Sequence, residues 1–345
     1  MSLCLPGSAM LRCGRTLAAL VVATSMAACA APPRKRPRPV LIAEPLPSFD
    51  GQTPGQGATD LDRGVALVQN ERYADGIALI EKAFKTVTPD AESTYYLGFA
   101  YDRVGRRREA EATYQQAITL DPKLVEARMN LGAMYLEDPP QPAKALAVLE
   151  PAVAIEPRAI DVNLNLAYAN RLLKRLDQAA NHYRAALASQ DKVETRQMLA
   201  DVLYDAGKMG ELVLELKKLV PAFSRNAKAL AAIAGRFAKA GSYADCAVTY
   251  TKVVALDGTD ASSYLNRGLC RHELKEREED VLADYERAVE ADSKFQPAHF
   301  YMAMSLMQMK KLVRAAEAFE KAYKLGPDTT VGRKAKAHWD DLIRR

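Results

Sequence analysis

The side chains able to do chemistry are few and scattered. Four histidines occur, His182, His272, His299 and His338, and no two share the HExxH spacing of metal ligands on one helix face. The chain has no G-x-S-x-G elbow, phosphate loop or dinucleotide glycine fingerprint. The run "HELKEREED" (272–280) gathers carboxylates, but Lys275 and Arg277 interleave them, as on a solvated surface. No catalytic residue, metal or cofactor is expected, and the chain reads as a non-enzyme. Five cysteines remain: Cys4, Cys13, Cys29, Cys246 and Cys270.

The elements carrying these residues are helical. In "YYLGFAYDRVGRRREAEATYQQAITLDP" (95–122), apolar residues recur at helical spacing in two runs with a turn at Gly105 between them. Asp121-Pro122 ends the second run, because a residue before proline avoids the helical region. Gly98 costs a helix interior about 1 kcal/mol against alanine. The spacing predicts that it faces Ala110 and brings two antiparallel helices close.

The arrangement repeats. The small residue of the first helix is Gly64, Gly98, Gly132, Ala167, Ala200, Ala234, Gly268 and Ala303, at intervals of 33 to 35. A large apolar group follows in each second helix: Ile80, Tyr114, Leu149, Tyr183, Leu216, Tyr250, Tyr285 and Phe319. This pattern resembles the tetratricopeptide repeat, a helix–turn–helix unit of 34 residues. "RMNLGAMYL…KALAVLEPAVAIEP" is similar to it as well, and "YLNRGLCRHEL…VLADYERAVEAD" resembles an Arg-Gly variant. The resemblance implies an all-α fold, a right-handed α-solenoid of about eight tetratricopeptide helix–turn–helix units with a C-terminal capping helix. The units span 57–329, starting near 57, 91, 125, 160, 193, 227, 261 and 296, and 330–345 forms the cap. Repeat five departs from the pattern with Leu212 and Leu219. Repeats three and seven each hold one extra residue, in "DPPQP" and "KEREED".

The N-terminus is different. Arg12 and Arg15 precede an apolar run, Leu17 to Ala28, too short to span a bilayer as a helix. Residues 1–28 read as a signal peptide, with Met1 or Met10 as its start. "MAAC" resembles the bacterial lipoprotein box, which implies cleavage before Cys29 and lipidation of Cys29. The alternative is an ordinary secretory peptide. Residues 29–56 hold the anchor cysteine and a tether, with seven prolines in residues 30–56. At polyproline II rise the tether reaches about 80 Å. Its "RKRPR" suits anionic headgroups or a cell-wall polymer, or merely solvates a linker. The expected place is the cell envelope, lipid-anchored at the periplasmic face of a Gram-negative outer membrane.

After residue 56 the chain has 42 Lys and Arg against 41 Asp and Glu, so it lacks the net basic charge of a nucleic-acid binder. Cys246 falls on the second helix of repeat six and Cys270 on the first of repeat seven. These stack, so the two could form a disulfide; otherwise both are small buried hydrophobes.

In this family ligands commonly lie along the first helices. Unit position two holds Glu92, Glu126, Asp161 and Glu194 in repeats two to five, an acidic row. Tyr95, Phe99, Met129, Tyr168 and Tyr204 follow on the same side, with Phe300 and Met304 farther along. Asn130, Asn165 and Asn266 share position six, where family members hold a peptide backbone. The resemblance thus implies a polypeptide partner, peptide or helix, with basic and apolar side chains. The competing reading is that first-turn acids only serve the helix dipole and some aromatics pack between helices. The leading function is a membrane-tethered scaffold for assembling an envelope complex such as pilus, motility or cell-wall machinery. The alternatives are a cell-wall-binding spacer and a regulatory subunit of an envelope hydrolase or glycosyltransferase.

Overall fold

The structure, a computed structural model, describes residues 59–137 and 139–344. The signal peptide, Cys29 and the tether lie outside the described residues. Among the described residues the chain is all helical. It runs through α1 (Asp60–Gln69), α2 (Tyr73–Ala83), α3 (Ala91–Arg103), α4 (Arg107–Leu120), α5 (Val125–Tyr135), α6 (Pro142–Ile155), α7 (Ile160–Leu172), α8 (Leu176–Ser189) and α9 (Val193–Asp205). It continues through α10 (Met209–Ala222), α11 (Ala227–Lys239), α12 (Tyr243–Leu256), α13 (Ala261–Glu273), α14 (Glu278–Ala291), α15 (Gln296–Gln308), α16 (Leu312–Leu325) and α17 (Thr330–Ile343). None of these helices is long and apolar enough to cross a membrane.

The chain forms two compact units, one ending at Lys208 and one beginning at Met209. The division falls between α9 and α10, inside repeat five, where Leu212 and Leu219 replace the usual small residues. Tandem helical pairs build both units. In the first, Ile80, Tyr95, Tyr114, Leu131, Leu149 and Leu166 share one buried core. In the second, Phe237, Tyr250, Leu265, Tyr285 and Phe319 are buried.

The helix ends follow local chemistry. Thr59 and Asp62 form a reciprocal capping box. Asp90 Oδ1 accepts from Ser93 N at 2.9 Å, and Asn226 Oδ1 accepts from Ala229 N at 3.0 Å. Between the helices of a pair the chain turns through one left-handed residue: Glu71, Gly105, Lys174, Gly207, Gly241, Lys275 or Lys310. Repeat three has no such residue among those described, and its helices stand farther apart in sequence, α5 ending at Tyr135 and α6 beginning at Pro142.

The first-helix glycines of repeats two, three and seven lie against the large apolar group of the second helix rather than against its small residue. A Cβ on Gly98 would lie 2.9 Å from Tyr114 Cδ1, one on Gly132 2.5 Å from Leu149 Cγ, and one on Gly268 2.6 Å from Tyr285 Cε1. Glycine here seats the large apolar group of the second helix, one turn beyond Ala110 or its equivalent. The close backbone approach of two small residues occurs in repeat one, where a Cβ on Gly76 would meet the Gly64 carbonyl oxygen at 2.9 Å. Close packing explains why these sites tolerate no added volume without a shift.

Candidate functional site

The acidic row lies wholly in the first unit. Glu92, Glu126, Asp161 and Glu194 each sit in the first turn of their helix, on α3, α5, α7 and α9. That position lets the helix dipole favour each carboxylate. Glu92 and Glu194 are exposed, and Glu126 and Asp161 half-buried. Among the described residues Glu92, Glu126 and Glu194 have no ion-pair partner. In the second unit the same register holds Lys228, Ser262 and Pro297, so the negative face stops with the first.

Two of these carboxylates converge on a tyrosine. Burial raises the Tyr96 hydroxyl pKa first, and Glu92 and Glu126 both push it further up, while Gln69 Nε2, donating to the Tyr96 oxygen at 2.9 Å, opposes them. Burial also raises Tyr95, with Glu126 among the further causes. Asp102, at the other end of α3, is raised by burial and then by Glu137, despite Arg107 and Arg103 nearby.

The expected aromatic anchors divide. Tyr168 and Tyr204 are half-buried and keep surface to offer. Tyr95, Phe99 and Met129 are buried, and so belong to the core rather than presenting surface to a ligand. Phe99 packs edge-on to Tyr73 at 6.1 Å, and the Arg103 guanidinium lies 5.4 Å from its ring centre. Asn130 is likewise buried and donates to the Tyr95 hydroxyl at 3.2 Å, and Asn165 is buried with its own partners. These two amides are therefore turned to internal bonding.

In the second unit Phe300 is also buried, edge-on to Phe319 at 5.7 Å, while Met304 is half-buried. Asn266 is buried with its Oδ1 unpartnered. The Cys246 and Cys270 sulfurs are bonded, with Cα atoms 6.2 Å apart, and join α12 to α13. Among the described residues no cluster of His, Cys, Asp or Glu could hold a metal ion.

Reading by unit position missed two features. Asp284 is buried between Arg267 and Arg271. Its oxygens accept from Arg267 Nε at 3.0 and 3.1 Å and from Arg271 Nη1 at 3.0 Å. The Arg-Gly pair of "NRGLC" was the available signal, since an arginine beside a helix-contact glycine must find an anion. The second is a cleft of about 300 Å³ between α16 and α17, lined by Val313, Ala316, Trp339 and Leu342 among others.

Known proteins share this repeat. Residues 91–124 and 296–329 each match the model of the tetratricopeptide repeat. The chain is 22% identical over 245 residues to the mitochondrial import receptor subunit TOM70 of Homo sapiens, a match covering 68% of this chain and 39% of that protein. It thus spans about two fifths of that relative's length. Among solved structures, a MamA structure is 21% identical with a TM-score of 0.43, covering 46% of this chain and 87% of that one. Yeast Tom70 is 13% identical with a TM-score of 0.42, covering 88% of this chain and 67% of that one. Two units therefore match the tetratricopeptide-repeat model, and the same register runs through the helical pairs around them.

Proposed function

We propose that the protein is a non-enzymatic scaffold that binds a basic polypeptide along the first helices of its first unit. The observation that carries this reading is the set of carboxylates without an ion-pair partner among the described residues, Glu92, Glu126 and Glu194, in one register on repeats two, three and five, with Asp161 at the same place in repeat four. Tyr168 and Tyr204 add half-buried aromatic area at unit positions nine and twelve of the first helices of repeats four and five, and such anchors give contact at low entropy cost. Carboxylates spaced one repeat apart select charge and speed encounter. A relative that is a receptor subunit fits this use of the repeats.

The reading extends to a setting. Lipidation of Cys29 holds the array at an envelope membrane, the Pro-rich segment sets its distance, and the bound partner belongs to an envelope assembly. Here the "MAAC" box is the support.

In-cell photocrosslinking from Tyr168 tests the binding face, with a probe at exposed Gln178 as the control. A discrete partner captured from Tyr168 alone, and lost in Glu92→Lys/Glu126→Lys, supports the reading. The same background from both sites removes it. Labelling with an alkyne fatty acid, absent in Cys29→Ala, tests the anchor.

A further inference from the structure

The chain carries its own cations a short way ahead of the acidic face. Residues 34–38 read "RKRPR", with Arg34, Lys35, Arg36 and Arg38, and they lie outside the described residues. The described chain begins at Thr59, 21 residues after Arg38. Where it enters is settled by the helical pairs. Lys82, at the end of α2, pairs with Asp60, at the start of α1, at 2.7 Å. A short loop leads from α2 into α3, so α1 and α3 begin on one edge of the first unit. Asn130, the sixth residue of α5, donates to Tyr95, the fifth of α3, at 3.2 Å, so α5 begins on that edge as well. The chain therefore enters on the edge that holds Glu92 and Glu126.

Other carboxylates near the entry are engaged. Asp60 is held by Lys82, and Asp62 closes the capping box with Thr59. Asp90 accepts from Ser93 N at 2.9 Å and from Ser93 Oγ at 2.5 Å. Arg128, two residues beyond Glu126, donates to the Pro122 carbonyl at 3.0 and 3.1 Å. Glu92 and Glu126 keep no ion-pair partner among the described residues.

The dimensions agree. Pro37 and Pro39 favour extended backbone at Arg36 and Arg38. In polyproline II, Lys35 and Arg38 stand about 9 Å apart. Packed helices lie about 8–10 Å apart, so the two cations span one helix spacing. A flexible chain of 21 residues has a root-mean-square span of about 25 Å, against about 10–20 Å from Thr59 to α3 and α5.

We propose that residues 34–38 of this chain dock across the first turns of α3 and α5, one cation against each of Glu92 and Glu126. An incoming basic partner must displace them. The docked segment takes the same face as the partner proposed above and rests on that reading. Its tether holds it at about millimolar local concentration, so contacts too weak to retain a free peptide stay occupied.

The purified full chain with Pro37→p-benzoylphenylalanine keeps all four cations. It is irradiated beside phosphatidylglycerol vesicles, and its adducts are mapped by mass spectrometry. We expect an adduct within one chain to the first turn of α3 or α5, lost at about 1 M salt, where screening acts within about 3 Å. Glu92→Lys/Glu126→Lys should reduce it at least about fivefold. Adding Arg34→Glu/Lys35→Glu/Arg36→Glu/Arg38→Glu to that variant should restore it. An adduct to lipid, to a second chain or to neither helix overturns the proposal, as does one that Glu92→Lys/Glu126→Lys leaves unchanged. Partner capture from Tyr168 in cells separates the two readings. With Arg34→Ser/Lys35→Ser/Arg36→Ser/Arg38→Ser it should rise at least about threefold. Unchanged capture overturns the docking and leaves the binding face standing. The adduct without any captured partner supports the docking and removes the partner.

Discussion

A Cβ placed on Gly332 would lie 1.9 Å from the carbonyl oxygen of Gly326. The first turn of α17 therefore rests directly on the backbone that ends α16, and Thr329 caps it by accepting from Gly332 N at 2.9 Å. Backbone cannot move aside as a side-chain tip can. Gly332→Ala should undock α17 at a cost of about 1–3 kcal/mol. The check is thermal unfolding together with Trp339 emission. An unchanged melting temperature and spectrum would contradict the contact.

The same helix should respond to pH. His338 stacks on Phe319 at 5.0 Å, and burial lowers its pKa from the ordinary value near 6.5, with Asp341 opposing. The folded state therefore favours the neutral ring. Its contribution is complete above the unfolded pKa and is lost as pH falls through about 6.5 toward the lower folded value. Trp339 emission should shift between pH 7 and 5.5, and His338→Leu should flatten that shift. A titration identical in the variant and the parent would rule this group out.

Asp284 holds repeat seven by its charge. Removing it leaves Arg267 and Arg271 facing each other without their shared anion. Breaking such a buried pair costs up to about 3–5 kcal/mol, and the partial exposure of both arginines places Asp284→Ala near the low end. Chemical denaturation measures it. Arg267→Met/Asp284→Leu should recover much of the loss, because the one charge it leaves, Arg271, is partly exposed and lies 3.5 Å from Glu276. A double variant as unstable as the single would refute that account.

The Cys246–Cys270 bond closes a loop across 24 residues and joins two repeats. Chain entropy assigns it about 3 kcal/mol. Cys246→Ala/Cys270→Ala should therefore lower the unfolding free energy by roughly that amount. Both cysteines are buried, so reductant should act slowly on the native chain and quickly in denaturant. Equal reduction rates in both conditions would show that α12 and α13 open freely.

Lys275 and Lys310 adopt left-handed backbone at φ 56 and 60, where Gly105, Gly207 and Gly241 serve other repeats. Lys275→Gly should relieve the Cβ strain of this region, by about 0.5–1 kcal/mol net of the entropy glycine adds to the unfolded chain. A loss of melting temperature would mean that the lysine side chain contributes more than its backbone costs.

Much of this architecture was legible because a repeat states its rule many times. The small residue at Gly98 and its equivalents, the large one at Tyr114 and the turn at Gly105 recur at one interval. Their common register placed every helical pair. The acidic row was legible for the same reason: Glu92, Glu126 and Glu194 hold one unit position, and side chains one repeat apart in a stack share a face.

What register could not decide is which side of a position meets a neighbour. Tyr95 and Tyr168 both read as groove aromatics, yet Tyr95 is buried and Tyr168 keeps surface. Burial depends on the volumes and angles of the flanking helices, which sequence spacing does not carry. Asp284 and Arg267 lie 17 residues apart, and only packing of α13 on α14 makes them one buried charge network. The sequence alone determined the helices, their pairing and the placement of charge along them. The tertiary structure decided which of those side chains the core consumed and which it left exposed, because burial is a property of neighbours rather than of residues.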